Sequence, residues 1–252
     1  MKDSLATVKE NKVIAENVYM ITLTLPESAQ SFHGGQFVNI ETGDKSLPLR
    51  RPLGVCKTDG HDLSLCYQVK GKGTKKLTEA KAGDKLKVLY PLGNYFNLSG
   101  YKKIAVVGGG VGIFPLIAAI RENKDKEIYS YIGFRNKNAV CLLDEFKACK
   151  KLTVTTDDGS FGKTGNAVQS FIADVKEIAP DVIISCGPPV MLKALKNSLK
   201  SENINIPCLV SLEERMGCGI GACLVCVCKT ADGNNARVCK DGPVFDINEV
   251  EL

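Results

Sequence analysis

Cys218, Cys223, Cys226 and Cys239 stand in the order C-x4-C-x2-C, with the fourth cysteine following after twelve residues. Thiolates are soft metal ligands, and this spacing is the plant-type arrangement for a [2Fe–2S] cluster, a carrier of single electrons. Gly219, Ile220, Gly221 and Ala222, between the first two cysteines, are mostly small. A loop wrapping a cluster needs such residues, because its backbone must turn tightly and aim amides at sulfur. Zinc is the competing metal. Structural zinc sites favour paired C-x2-C knuckles split by a longer loop, whereas here three candidate ligands crowd into nine residues. Inert buried thiols are a further alternative. The spacing selects Cys226 as the ligand and leaves its neighbour Cys228 as a core thiol.

A second group of residues could handle phosphate. Gly108, Gly109, Gly110 and Gly112 follow the apolar run Ile104–Val107 and precede an apolar helix that opens near Pro115. Glycines let a nucleotide approach the backbone, and a helix N-terminus offers it free amides. The G-x-G-x-x-G fingerprint is not met, since Ile113 or Pro115 falls where its last glycine belongs. Taken alone, this remains equally a tight turn with no ligand. Cys186-Gly187-Pro188-Pro189 closes another strand and opens another helix, with proline suited to the helix start. Arg50-Arg51-Pro52-Leu53-Gly54 sets fixed positive charge beside a restrained backbone, suited to bidentate contact with phosphate oxygens. Gly71-Lys72-Gly73-Thr74 offers amides and a hydroxyl. For each of these two stretches the bland alternative is a solvated charged turn. His33 and His61 sit in apparent turns and read as solvated.

Three segments must position these groups. Residues 1–98 alternate apolar and polar residues over Val18–Leu25, Gln36–Glu41, Asp62–Val69 and Lys85–Leu89, with Gly/Asp-rich turns between. That pattern predicts a small antiparallel β-barrel. Over 99–209 continuous apolar strands alternate with helices, which predicts a doubly wound α/β domain. Its strands fall at Ile104–Val107, Glu127–Ile132, Leu152–Thr156 and Asp181–Ser185, and its helices at Pro115–Ile120, Leu142–Ala148, Ala167–Val175 and Val190–Leu199. Residues 210–252 form a small C-terminal [2Fe–2S] domain. Eleven cysteines at cluster-like spacing, no apolar leader and no membrane-length run point to a soluble protein in a reducing, cytoplasmic setting. A net charge of +5 with scattered bases and no Trp argues against nucleic acid as a partner.

The order of these motifs resembles the ferredoxin–NADP reductase superfamily, in which the barrel holds a flavin and the α/β domain a pyridine nucleotide. With the cluster segment, and with Lys70–Thr74, Pro91–Asn94, Thr156–Ser160, Glu213–Cys218 and Val238–Phe245, the whole chain is similar to the electron-transfer subunits of NAD-dependent (class 1B) dihydroorotate dehydrogenase. The resemblance implies FAD contacts at Arg51, Pro52, Leu53, Gly54, Cys66, Tyr67, Gln68, Gly73 and Thr74, with Arg51 on the diphosphate. The superfamily usually carries Ser where this chain has Gly54. Cys186, Gly187 and Pro188 match the motif bordering the nicotinamide, Cys186 beside the hydride path rather than as a nucleophile. Asp157 and Asp158 occupy the place where NADP-using relatives hold a 2′-phosphate. Carboxylates there accept from ribose hydroxyls and repel that phosphate, which favours NAD.

The implied role is a relay. NAD exchanges two electrons as a hydride, the cluster carries one at a time, and FAD mediates between them. No residue is a candidate base for a pyrimidine, so dihydroorotate oxidation falls to a separate FMN-containing catalytic subunit. The resemblance further implies a heterotetramer of two of each, acting in de novo pyrimidine (UMP) biosynthesis. The alternatives are a flavin/iron–sulfur subunit of another complex, of the bifurcating ferredoxin–NADP oxidoreductase or sulfide/sulfite reductase type, and a non-catalytic metal-binding interaction module.

Overall fold

A computed structural model describes residues 1–252, the side chain of Gln30 excepted. Six antiparallel strands close a barrel in the order β1-β2-β5-β4-β3-β6: β1 (Lys2–Ala15), β2 (Val18–Thr24), β3 (Phe37–Ile40), β4 (Arg51–Asp59), β5 (Asp62–Gln68) and β6 (Lys85–Leu92). Ile21, Leu23, Val38, Ile40, Leu63, Leu65 and Val88 fill its interior. The short helix α1 (Lys72–Leu77) follows β5 and plugs the barrel with Leu77. Two of these strands were not anticipated. β1 is largely polar, with only Ala6 and Val8 buried, and β4 begins at the Arg-Pro that reads as a turn.

The second unit is a seven-stranded sheet in the order β10-β9-β8-β7-β11-β12-β15. Its strands are β7 (Lys103–Gly109), β8 (Glu127–Phe134), β9 (Lys151–Thr156), β10 (Lys163–Thr164), β11 (Val182–Cys186), β12 (Cys208–Ser211) and β15 (Val244–Asp246). All neighbours pair in parallel except β15, which runs antiparallel along β12. Side chains of β7 alternate between two cores. Ile104 and Val106 pack against helix α2 (Ile113–Glu122) on one face, and Ala105 and Val107 against α3 (Ala167–Ile178) and α4 (Pro189–Ser201) on the other. Asn166 caps α3 by accepting from the Gln169 amide at 2.9 Å, and Pro189 opens α4.

From Ile113 to Ile120 helix α2 is apolar throughout and, Pro115 apart, buried. Ile113, Leu116, Ile117 and Ile120 face the sheet, and Ala118 joins the barrel core. It is the wall shared by the two units. The helix expected at Leu142–Ala148 is instead one 3-10 turn, Leu143–Phe146, set by a left-handed Leu142 (φ 54°). Its Glu145 bridges Lys57 of β4 and Arg121 of α2, both at 2.8 Å, so the turn serves as a clamp between barrel and sheet.

The residues after β12 lie across the barrel's outer face. They form a hairpin, β13 (Val227–Lys229) with β14 (Asn235–Arg237), and then return as β15. Asn94, just past β6, fastens this segment. Its Nδ2 donates to the carbonyls of Asp241 (3.2 Å) and Val244 (2.8 Å), and its Oδ1 accepts from the Val244 amide (2.8 Å).

Candidate flavin, nucleotide and cluster sites

One cleft of about 260 Å³ opens where barrel, sheet and C-terminal segment meet. Pro52, Leu53 and Gly54 reach it from β4, Cys66, Tyr67 and Gln68 from β5, and Thr74 from α1. Val111, Phe114 and Pro115 form the wall contributed by the start of α2, and Cys186 lies at the end of β11. Glu213, Glu214 and Met216 also line it; no pattern in the sequence singled them out as cleft residues. Mostly apolar with a few polar groups, the cleft suits a flat heteroaromatic ring.

Beside Pro52, Lys70 and Thr74 of the cleft, two loops come into contact. Arg51 runs so close against Gly73 that a Cβ there would fall 1.7 Å from its Nε. The Thr74 hydroxyl accepts from the Lys70 (3.0 Å) and Gly71 (3.2 Å) amides and so orders its loop. The two arginines divide their work. Arg50 is held by Asp3 (2.9 Å) and Glu41 (2.6 Å), whereas Arg51 donates only to the carbonyls of Leu49 and Arg50. Arg51 therefore keeps an unneutralised charge, which fits a diphosphate. At Gly54 a Cβ would lie 3.8 Å from Pro115, ordinary contact, so space does not dictate glycine at that position.

β7 and β11 are adjacent, but their connections run to opposite sides of the sheet, which makes their carboxyl ends the switch point where nucleotides bind in such folds. Gly108 and Gly109 end β7, and Gly110–Gly112 form a 3-10 turn against the segment Cys186–Pro188. A Cβ on Gly112 would stand 2.4 Å from the Cys186 carbonyl oxygen, so only glycine permits this approach. Burial, with a lesser effect of Glu213, pushes the Cys186 thiol far above its ordinary range. That setting disfavours the thiolate form a nucleophile needs. The Cys66 thiol is likewise raised, by its contact with Cys56 and by burial.

Asp157 and Asp158 follow β9 and are exposed. The Asp158 carboxylate accepts from the Ser160 hydroxyl (2.6 Å) and amide (2.9 Å), which lowers its pKa. The Ser160 hydroxyl in turn accepts from the Lys137 amide (2.8 Å), tying this loop to the one after β8.

In the C-terminal segment amides do turn to sulfur. Ile220 (3.4 Å) and Ala222 (3.3 Å) donate to Cys218 Sγ, Cys218 (3.3 Å) to Cys223 Sγ, Gly221 (3.1 Å) to Cys239 Sγ, and Cys239 (3.4 Å) to Cys226 Sγ. Burial alone would raise the Cys218 thiol, but these amides and Cys223 outweigh it and bring it down to about 6. Burial and the neighbouring Cys226 push Cys239 up to about 12. Among the described residues no three His, Cys, Asp or Glu groups close on a single-ion site. The fit to a cluster rests on the four-sulfur set and its amides, the donors that stabilise a thiolate-held centre.

The fold and this cleft define a flavin-dependent pyridine-nucleotide oxidoreductase chain of the ferredoxin–NADP reductase type with an added iron–sulfur segment. Residues 213–251 match the iron-sulfur cluster binding domain of dihydroorotate dehydrogenase B. The "Dihydroorotate dehydrogenase B (NAD(+)), electron transfer subunit" of Caldanaerobacter subterraneus is 39% identical, with 97% of each chain covered. That of Geobacillus thermodenitrificans is 40% identical over 98% of this chain and 97% of the relative. The chain belongs to this family of dihydroorotate dehydrogenase B electron-transfer subunits. An NADH-dependent reduced ferredoxin–NADP oxidoreductase structure superposes with a TM-score of 0.85 at 30% identity, covering 98% of this chain and 90% of that one. A Neisseria gonorrhoeae ferredoxin NADP+ reductase with bound FAD and NADP (TM-score 0.69, 14% identity, 80% and 92% covered) shares the fold. A [2Fe–2S] cluster and FAD are the cofactors of this family and fold, and NAD is the cosubstrate of the enzyme type.

Proposed function

We propose that this chain takes electrons from dihydroorotate oxidation on a separate FMN-containing subunit and delivers them to NAD+ in de novo pyrimidine biosynthesis. The observation that carries the reading is the single cleft in which β4, β5, Cys186 and the residues leading into Cys218 converge. Bound there, FAD would accept electrons singly from the cluster and pass them in pairs to NAD+.

The chain's own residues would bind and orient. Arg51, Gly73 and Thr74 would hold the diphosphate, with Pro52, Leu53, Gly54, Cys66, Tyr67 and Gln68 around the isoalloxazine and ribityl. Gly108, Gly109, Gly110, Gly112, Gly187 and Pro188 would admit NAD beside the Cys186 thiol, with Asp157 and Asp158 toward its ribose. Cys218, Cys223, Cys226 and Cys239 would ligate the iron.

Ile220, Leu224 and Val225 are exposed apolar residues beside the exposed Cys223. Such a rim supports docking of the catalytic subunit at the cluster; the assembly of two of each rests on the family resemblance alone. Eleven free cysteines support a reducing, cytoplasmic setting. No helix is long and apolar enough to cross a membrane among the described residues.

The test is dihydroorotate-dependent NAD+ reduction, with and without the FMN subunit from the same cell. Activity only in the mixture is expected. A silent mixture in which NADH still bleaches flavin and cluster would assign the relay to another partner.

A further inference from the structure

Asn39 is a polar residue set in the apolar floor on which the cluster segment rests. Along β3 the side chains alternate: Val38 and Ile40 fill the barrel, while Phe37 turns outward into a core shared with Leu92, Cys226, Cys239 and Phe245. Asn39 points the same way as Phe37. It is fully buried, and neither its Nδ2 nor its Oδ1 has a hydrogen-bond partner. Folded proteins leave very few side-chain amides in that condition. The group lying on it is Gly219, itself buried and left-handed (φ +74°), where a Cβ would come within 2.5 Å of Asn39 Nδ2. The amide's donor end therefore faces the backbone next to Cys218.

The geometry points to Asn39 as a positioning residue for the cluster: no cysteine Sγ accepts from its Nδ2–H, which leaves the inorganic sulfur of a bound [2Fe–2S] centre as its acceptor. The loop amides of Ile220, Gly221 and Ala222 already serve Cys218 and Cys239. Asn39 adds a donor from outside the loop, on the strand paired through Pro52 with the flavin-lining β4. A loop carbonyl is the competing acceptor, and Nδ2 bonds none. Hydrogen bonds to sulfur favour the more negative, reduced cluster, so this donor raises the reduction potential.

The inference rests on the cluster assignment and is tested on the full chain. Residues 215–228 contain no Asn, and Asn94, which meets the segment at Asp241 and Val244, stays labelled in both chains, so 15N-asparagine labelling read against Asn39→Leu isolates this side chain in pulsed electron paramagnetic resonance of the reduced cluster. A 15N coupling is expected in the unmodified chain and should vanish in Asn39→Leu. At a solution potential that half-reduces the parent cluster, the variant should be about tenfold more oxidised, ~59 mV for one electron. Leu is similar in size and brings no unpaired polar group, so folding should survive. If the variant nevertheless loses its cluster, Asn39→Ala takes its place as the control. No coupling in the parent, or an unchanged midpoint in a loaded variant, overturns the inference. A parent chain with no reduced-cluster signal at all would instead remove the cluster assignment, and the inference with it.

Discussion

The cluster loop and the flavin–nucleotide cleft solve the same problem, holding a cofactor, by opposite routes. Three of the four thiols fall within nine residues, and all but one of the amides that turn to sulfur come from the same stretch, the exception being Cys239 to Cys226. The cleft takes its walls from β4, β5, α2, β11 and the run before Cys218, spread over more than half the chain. A local site survives as a motif, whereas a distributed one depends on how two units are clamped together. Backbone contacts dominate the first, and close approaches between elements the second.

The largest effect should separate the two outright. Cys226→Ser is expected to abolish the cluster's visible absorption while FAD stays bound at full occupancy, and Cys228→Ser should spare both. Cys226 is buried and accepts from the Cys239 amide, whereas Cys228 sits half-buried on β13. The reverse pattern would show that the spacing selects the wrong thiol.

Gly112→Ala attacks the cleft alone. With backbone 2.4 Å from the new methyl, overpacking should cost about 1–3 kcal/mol and raise KM for NADH roughly tenfold or more, with the cluster signal intact. A thermal melt and steady-state NADH kinetics check this; wild-type values in both would mean the two turns are not in contact. The next effect is smaller. Asp158→Arg removes a carboxylate and the turn it holds with Ser160, and should shift the NADH-to-NADPH preference by about tenfold. An unmoved ratio would take the ribose-side argument away.

The smallest concerns the sheet that carries the cleft. Lys151 (2.5 Å), with Tyr131 (2.8 Å), holds the Asp174 carboxyl below its ordinary range and fastens α3 to β8 and β9. A depressed carboxylate contributes stability above its unfolded pKa near 3.8 and loses it as pH falls through the lower folded value. Asp174→Asn should therefore cost under about 1 kcal/mol near neutrality and nothing in strong acid. Parallel denaturation curves at the two pH values measure it, and an equal loss at both would point to packing instead.

What could be read in advance follows the same division. The cysteine spacing, the apolar run of β7 and the paired helix starts announce themselves because each is local. Glu213, Glu214 and Met216 do not, since their place in the cleft depends on the course the chain takes after β12. Asn39 is a single polar residue within Phe37–Ile40, and nothing in that strand tells its outward face from its inward one. Residue type alone does not separate Arg50 from Arg51; the resemblance picks Arg51, and the positions of Asp3 and Glu41 give the physical reason that Arg50 is the structural one. At β1 the polar composition hid a strand whose partners supply most of the apolar surface.

The strand Val244–Asp246 lies on the exposed edge of β12 in the nucleotide sheet. A chain cut after residue 211 would lose more than its iron: it would carry an open β edge, ready to pair with other chains. The redox centre thus cannot be lent to or removed from this scaffold as a cassette. β12 can gain this neighbour only after Cys239 has been made, so the seven-stranded sheet is complete only in a molecule that already contains all four cysteines.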